Sequence, residues 1–134
     1  MSEMTSDQSL PLDDLAHALT DAEFAILFGS AVSNRLTEDR DLDIAVSFRS
    51  RLSWRDRAEL CAQLEEVVHR PVDLVDLKAV DPVLKMQIVR YGRPLVVNDS
   101  SAYHAFQMYT IAQYLDLKIL RRPVEEAMIQ GRTA

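Results

Sequence analysis

Five consecutive apolar residues, Phe24 to Phe28, stop at Gly29-Ser30, and ten residues later the chain resumes as Asp41-Leu42-Asp43-Ile44-Ala45-Val46-Ser47-Phe48. The first run, bounded by Asp21 and Gly29, is too short for a buried helix and predicts a strand covered on both faces. The second predicts a strand that opens on acids. Side chains two apart on a strand share a face, so Asp41 and Asp43 project the same way. A strand buried on both faces needs a layer on each side, and the helical patterns between the strands point to layers of helix on sheet.

The remaining elements supply those helices. Leu12, Leu15, Ala16, Ala18 and Leu19 recur at helical spacing behind Pro11, Asp13 and Asp14, which suit a first turn. Ser53 is a good N-cap for a long helix with a stripe of Leu60, Cys61, Leu64, Val67 and Val68, its start anchored by Trp54. Val72-Asp73-Leu74-Val75-Asp76-Leu77 reads as a third strand, and Val80 to Tyr91 as a helix closed by Gly92. A short strand, Leu95 to Val97, precedes a final helix over about 102–122, where Pro123 breaks or kinks it. The expected class is therefore α/β (α+β), a small mixed sheet flanked by helices. Residues 1–9 read as a flexible leader and 10–134 as one domain.

Composition narrows the partners. Fifteen basic against twenty-one acidic residues give a net charge of −6, with no Lys/Arg block that would track nucleic acid, so direct nucleic-acid binding is not expected. The single cysteine, Cys61, predicts a buried small hydrophobe, and no apolar stretch approaches the ~20 residues of a membrane span. A cytoplasmic location follows as the expectation.

The chemistry lies in the first feature. Two strand-borne carboxylates on one face suit metal ions about 3.5–4 Å apart for in-line displacement at phosphorus. Mg²⁺ takes only one or two protein carboxylates and completes its shell with phosphates and water. Gly29 and Ser30 at a strand-to-helix turn offer backbone N–H groups and a hydroxyl for the distal phosphates. On the third strand Asp73 and Asp76 are an odd number of residues apart, so only one can join that face. Asp73 is the choice, as metal ligand and proton acceptor, and Asp76 is expected as a solvated strand-end acid.

The pattern Gly-Ser-x10-Asp-x-Asp, present as Gly29, Ser30, Asp41 and Asp43, resembles the signature of the DNA polymerase β-like nucleotidyltransferase superfamily. With the third-strand acids and the short chain, it resembles the minimal nucleotidyltransferase (MNT) branch over about residues 12–97. Many stand-alone members of that branch are antitoxins of the MntA type, paired with HEPN ribonuclease toxins in type VII toxin–antitoxin modules. The resemblance implies the polymerase β-like fold and a Mg²⁺-dependent protein adenylyltransferase using two ions. It would transfer AMP from ATP to a tyrosine of a HEPN toxin held in a hetero-oligomer. On that reading Asp41, Asp43 and Asp73 are the metal-binding catalytic acids, and Gly29 and Ser30 bind the triphosphate. Many relatives carry Arg directly after Gly-Ser and a glycine soon after; here Ala31-Val32-Ser33-Asn34 follow, and Arg35 or Arg40 is expected to replace the contact. This departure motivates an alternative in which the site is idle and neutralisation is by binding alone. A small-molecule nucleotidyltransferase of the aminoglycoside type ranks behind both, because 134 residues leave little surface for a deep acceptor pocket.

Other residues predict less. His17, His69 and His104 lack metal-ligand spacing. Arg49, Arg51, Arg55 and Arg57 read as solvated charges, and the aromatics Tyr103, Phe106, Tyr109 and Tyr114 as core packing of the last helix, with a partner surface as the second reading.

Overall fold

The computed structural model describes residues 10–29 and 41–129, with side chains described as far as Lys118. In chain order the elements are α1 (Leu12–Ala18), β1 (Phe24–Phe28), β2 (Leu42–Ser47), α2 (Trp54–Val68), β3 (Val72–Asp76), α3 (Pro82–Tyr91), β4 (Arg93–Val97) and α4 (Ser100–Ile129). The strands form one mixed sheet in the order β3-β2-β1-β4. β1 runs antiparallel to both β2 and β4, whereas β2 and β3 are parallel, joined by α2 as their crossover.

Alternation along the strands splits the core in two. Ala25, Leu27, Leu42, Ile44, Val46, Val72 and Leu74 point to one face and pack with Leu15 and Leu19 before and after the end of α1 and with Leu60, Leu64 and Val68 of α2. Phe24, Ile26, Ala45 and Leu77 point to the other face, under Ile88 and Leu84 of α3 and Ala102, Tyr103 and Phe106 of α4. Phe24 is the centre of that second core, its ring 5.2 Å from both Tyr103 and Phe106. Each such fully buried large side chain contributes about 1.5–3 kcal/mol relative to exposure. The expectation of a strand covered on both faces therefore holds for β1, and the small mixed sheet flanked by helices is the architecture found.

The caps follow local chemistry. Ser53 Oγ accepts from Asp56 N at 3.0 Å, Asp81 Oδ1 from Leu84 N at 2.9 Å with Pro82 in the first turn, and Asp99 Oδ1 from Ala102 N at 3.0 Å. Asn98 ties β4 back to the turn after α1, its Nδ2 donating to the carbonyls of Leu19, Thr20 and Ala22.

Several expectations are corrected. Gly92 closes α3 as expected, but in an extended conformation; glycine is needed because a Cβ would lie 2.5 Å from Ile88 O and 2.6 Å from Ile26 Cγ2. Trp54 is 76% exposed and anchors nothing in the core; Arg55 lies over its ring instead, 5.4 Å from the centroid. The final helix does not stop near 122 but continues through Pro123 to Ile129, since one proline removes one backbone donor and neighbouring turns carry the helix on. Tyr109 is exposed along with Met108 and Leu115, so the aromatic stripe of α4 is only partly core. Asp76 is 4% exposed and not solvated: its Oδ2 accepts from Leu52 N at 2.8 Å and its Oδ1 from Lys78 N at 3.0 Å. No helix among the described residues is long and apolar enough to cross a membrane. The expected leader, residues 1–9, lies outside the described residues.

Candidate active site

The antiparallel β1–β2 register sets Phe28 opposite Asp43, and the parallel β2–β3 register sets Asp43 opposite Asp73. Three strand ends therefore meet at one point. The face is that of α3 and α4, whose cluster buries Phe24, Ile26, Ala45 and Leu77 with Phe28 and Val75 at its margin, and leaves Asp43 half-buried and Asp73 exposed beyond it. Asp41 stands directly before β2 and is exposed.

Gly29 closes the group from the end of β1. Its φ of +69° is left-handed backbone, which glycine adopts without cost. A Cβ there would overlap Oδ2 of Asp43 and come within 3.1 Å of its Cγ. The absence of a side chain at position 29 is thus what makes room for the Asp43 carboxyl. Ser30, Arg35 and Arg40, the other expected nucleotide contacts, lie outside the described residues.

The electrostatics are unbalanced in one direction. The Asp43 carboxyl is pushed up from 3.8 to about 6 by its burial first, then by the charge of Asp73, a side-chain hydrogen bond with Asp73, and the charge of Asp41. Two acids that face each other repel, so the pair carries a charge it does not balance internally. A half-buried carboxyl raised beside other acids at a strand-end opening is the arrangement expected of a functional site rather than a stabilising one. Among the described residues no group of three or more His, Cys, Asp or Glu side chains stands in metal-holding geometry. The fit to Mg²⁺ rests instead on the pair: facing hard oxygen donors whose mutual repulsion a divalent cation would offset, with phosphates and water completing the shell.

Side chains that no motif singled out support this corner. Arg57, expected as a solvated charge, donates to Leu74 O at 2.8 Å, and Glu65 accepts from Val72 N at 2.9 Å, on either side of Asp73. The sequence signal was their placement eight residues apart on one face of α2. A cleft of about 600 Å³ at the far end of the sheet, lined by Phe24, Leu77, Lys85, Phe106 and Tyr109 among others, does not include the carboxylates.

Residues 12–101 match the family model described as Polymerase beta, Nucleotidyltransferase. Over 65 residues the chain is 37% identical to a Methanocaldococcus jannaschii protein named as a protein adenylyltransferase, covering 48% of this chain and 70% of that protein. It is also similar to a solved structure of a toxin–antitoxin with AMP-PNP, at 27% identity and a TM-score of 0.78, covering 90% of this chain and 99% of the other. A structure of a tri-AMPylated Shewanella oneidensis HEPN toxin in complex with MNT antitoxin matches at 28% identity and a TM-score of 0.67, covering 88% and 92%.

Proposed function

From the premise that the chain belongs to the polymerase beta nucleotidyltransferase family, whose substrates are nucleotides, we propose that it is an antitoxin that transfers AMP from ATP to a tyrosine of a HEPN toxin. The observation that carries the reading is the facing pair Asp43–Asp73, with Asp41 beside it and Gly29 packed on Asp43. Similarity to toxin–antitoxin structures holding an ATP analogue and an AMPylated toxin supports the choice of nucleotide and partner.

In the proposed reaction a bond forms between the tyrosine oxygen and the α-phosphorus of ATP. The bond from that phosphorus to the oxygen bridging the β-phosphate breaks, and pyrophosphate leaves. Asp73, the most exposed acid of the pair, takes the tyrosine proton as the oxygen attacks. Asp41 and Asp43 would hold Mg²⁺, with Asp73 as a further ligand, and bound Mg²⁺ supplies charge neutralisation at the phosphates. Gly29 and Ser30 bind the triphosphate, with Arg35 and Arg40 as added cationic contacts. A cation against this carboxyl would offset the repulsion that raises it and keep it ionised at lower pH, so metal and nucleotide binding would complete the site.

Incubation with labelled ATP, Mg²⁺ and the cognate HEPN protein tests this. The toxin is expected to gain adenylyl mass on tyrosine with the chain present, and to stay unmodified with Asp43→Ala. Toxin neutralised equally by wild type and Asp43→Ala, with its mass unchanged in both, would establish binding alone.

A further inference from the structure

β3 is an edge strand, and its outward-facing backbone groups belong to residues 72, 74 and 76, because Leu42 N donates to Pro71 O and Leu77 N to Val46 O on the inner side. Residues 73 and 75 turn their backbone inward to β2. An uncovered edge of this kind leaves its strand free to shift. Here one stripe of α2, Arg57, Cys61 and Glu65 at intervals of four, reaches over that edge. Arg57 Nη2 donates to Leu74 O at 2.8 Å, Cys61 Sγ donates to Val72 O at 3.2 Å, and Glu65 Oε2 accepts from Val72 N at 2.9 Å. Glu65 Oε2, 3.8 Å from Cys61 Sγ, is the alternative acceptor for that single S–H, which sets the two side chains against each other.

The bonds fall on the residues either side of Asp73, and on nothing further along the strand. Asp73 itself carries its carboxyl to the opposite face from the apolar side chains of Val72 and Leu74. Pinning both neighbours while the inner edge pairs with β2 fixes the height and tilt of the Asp73 Cα–Cβ bond against Asp43. The chemistry of the stripe suits this task. A guanidinium is a rigid fork that gives up little freedom when it binds a carbonyl. Burial, followed by the charge of Glu65 and its hydrogen bond, raises the Cys61 thiol, so it stays a proton donor to Val72 O rather than a thiolate.

We infer that Arg57, Cys61 and Glu65 are positioning residues for AMP transfer: they clamp the free edge of β3 and hold Asp73 in register with Asp43. The inference rests on the reading of Asp73 as a participant in transfer. None of the three touches the reacting groups, and their effect passes through the backbone of Val72 and Leu74. A displacement of about 1 Å at a reacting group is enough to cost on the order of a hundredfold in rate, so loss of one of three clamps is expected to cost about tenfold.

The test compares Glu65→Leu with Glu65→Gln in the full chain. Leucine keeps an apolar body in place and removes the acceptor, whereas glutamine keeps an oxygen for Val72 N. In Glu65→Leu, amide exchange at Val72 is expected to quicken about tenfold, and the carboxyl ¹³C resonance of Asp73 to move. The kcat for transfer should fall about tenfold with KM for ATP held within about twofold. Glu65→Gln should restore all three, and Arg57→Met should repeat the kcat loss. Quickened exchange with kcat and the Asp73 resonance unchanged would overturn the inference. So would kcat and KM changing together in step with a lowered Tm, with no rescue by glutamine. If the wild-type chain transfers no AMP, the functional reading falls, and the Asp73 resonance in the two variants then decides the clamp alone.

Discussion

Asp73 and Asp76 stand three residues apart on one strand, at opposite ends of the sheet, and their surroundings are opposites. Asp76 is buried and answered by donors, the backbone N–H groups of Leu52 and Lys78. Around it Lys78 Nζ donates to Glu23 Oε1 at 3.1 Å, to Ser47 Oγ at 2.9 Å and to Phe48 O. Asp73 is exposed and faces another acid, and all four influences on that acid, burial included, raise its carboxyl. Carboxylates that hold a fold are met by hydrogen-bond donors; carboxylates that meet each other hold a charge in readiness for something bound. The two ends of β3 show both arrangements within one strand.

If that contrast is correct, substitutions at the two ends should separate activity from stability. The largest effect is expected for Asp43→Ala, which should lower AMP transfer by on the order of a thousandfold, the loss expected when several kcal/mol of charge stabilisation at phosphorus disappear. Its Tm should not fall, because an unbalanced charge leaves with the side chain. A clear drop in Tm would show that Asp43 is structural after all. At the other end Asp76→Ala should lose about 1–3 kcal/mol in urea unfolding by stranding the part-buried Leu52 and Lys78 N–H groups. Transfer per folded molecule should stay unchanged.

Gly29→Ala should act on both properties. The forced left-handed backbone costs about 1–2 kcal/mol, and displacement of the Asp43 carboxyl should reduce transfer at least about tenfold. A smaller effect is expected with pH. The folded Asp43 holds its proton up to about 6, above its ordinary 3.8, so the native chain binds the extra proton between those values. Metal-free stability should therefore fall as pH rises from about 4 to about 6 and level off above. Solvent screening at this half-open position keeps the effect small, and Asp43→Asn should melt about 2 °C above wild type at pH 7. Added Mg²⁺ should raise the Tm of wild type and leave that of Asp43→Asn nearly unmoved; equal shifts in both would remove the pair from the metal site. Smallest of all, Lys78→Met should cost about 1 kcal/mol or less, since its ion pair with Glu23 is partly exposed.

Most of the fold was legible because its signals are local. The apolar run of β1, the cap Ser53 and the helical stripes each lie within a few residues of sequence. That only one of Asp73 and Asp76 could join the face of Asp43 was also legible, from strand parity, and the position of Asp73 at the strand's start pointed to it. Asp76 was misjudged because its donors come from Leu52, twenty-four residues away, and from a turn whose shape is not written in any motif. Trp54 was misjudged because apolar character does not say which side of a helix start faces the core. Arg57 is exposed as expected, but its bond to Leu74 O was not legible, because that acceptor lies seventeen residues on, across a crossover.

By itself the sequence determined which side chains share a face, since alternation along a strand is a property of covalent geometry. It therefore settled that Asp41, Asp43 and Asp73 would project together if their strands were neighbours in register. Only the tertiary structure decided that they are neighbours: the order β3-β2-β1-β4, the parallel register of Asp43 with Asp73, and the seat of Gly29 against the Asp43 carboxyl. Tertiary structure also decided which of two acids on β3 would meet donors and which would meet another acid. That choice depends on groups brought together from distant parts of the chain, whose positions follow from how two helical layers pack on the sheet rather than from any stretch read alone.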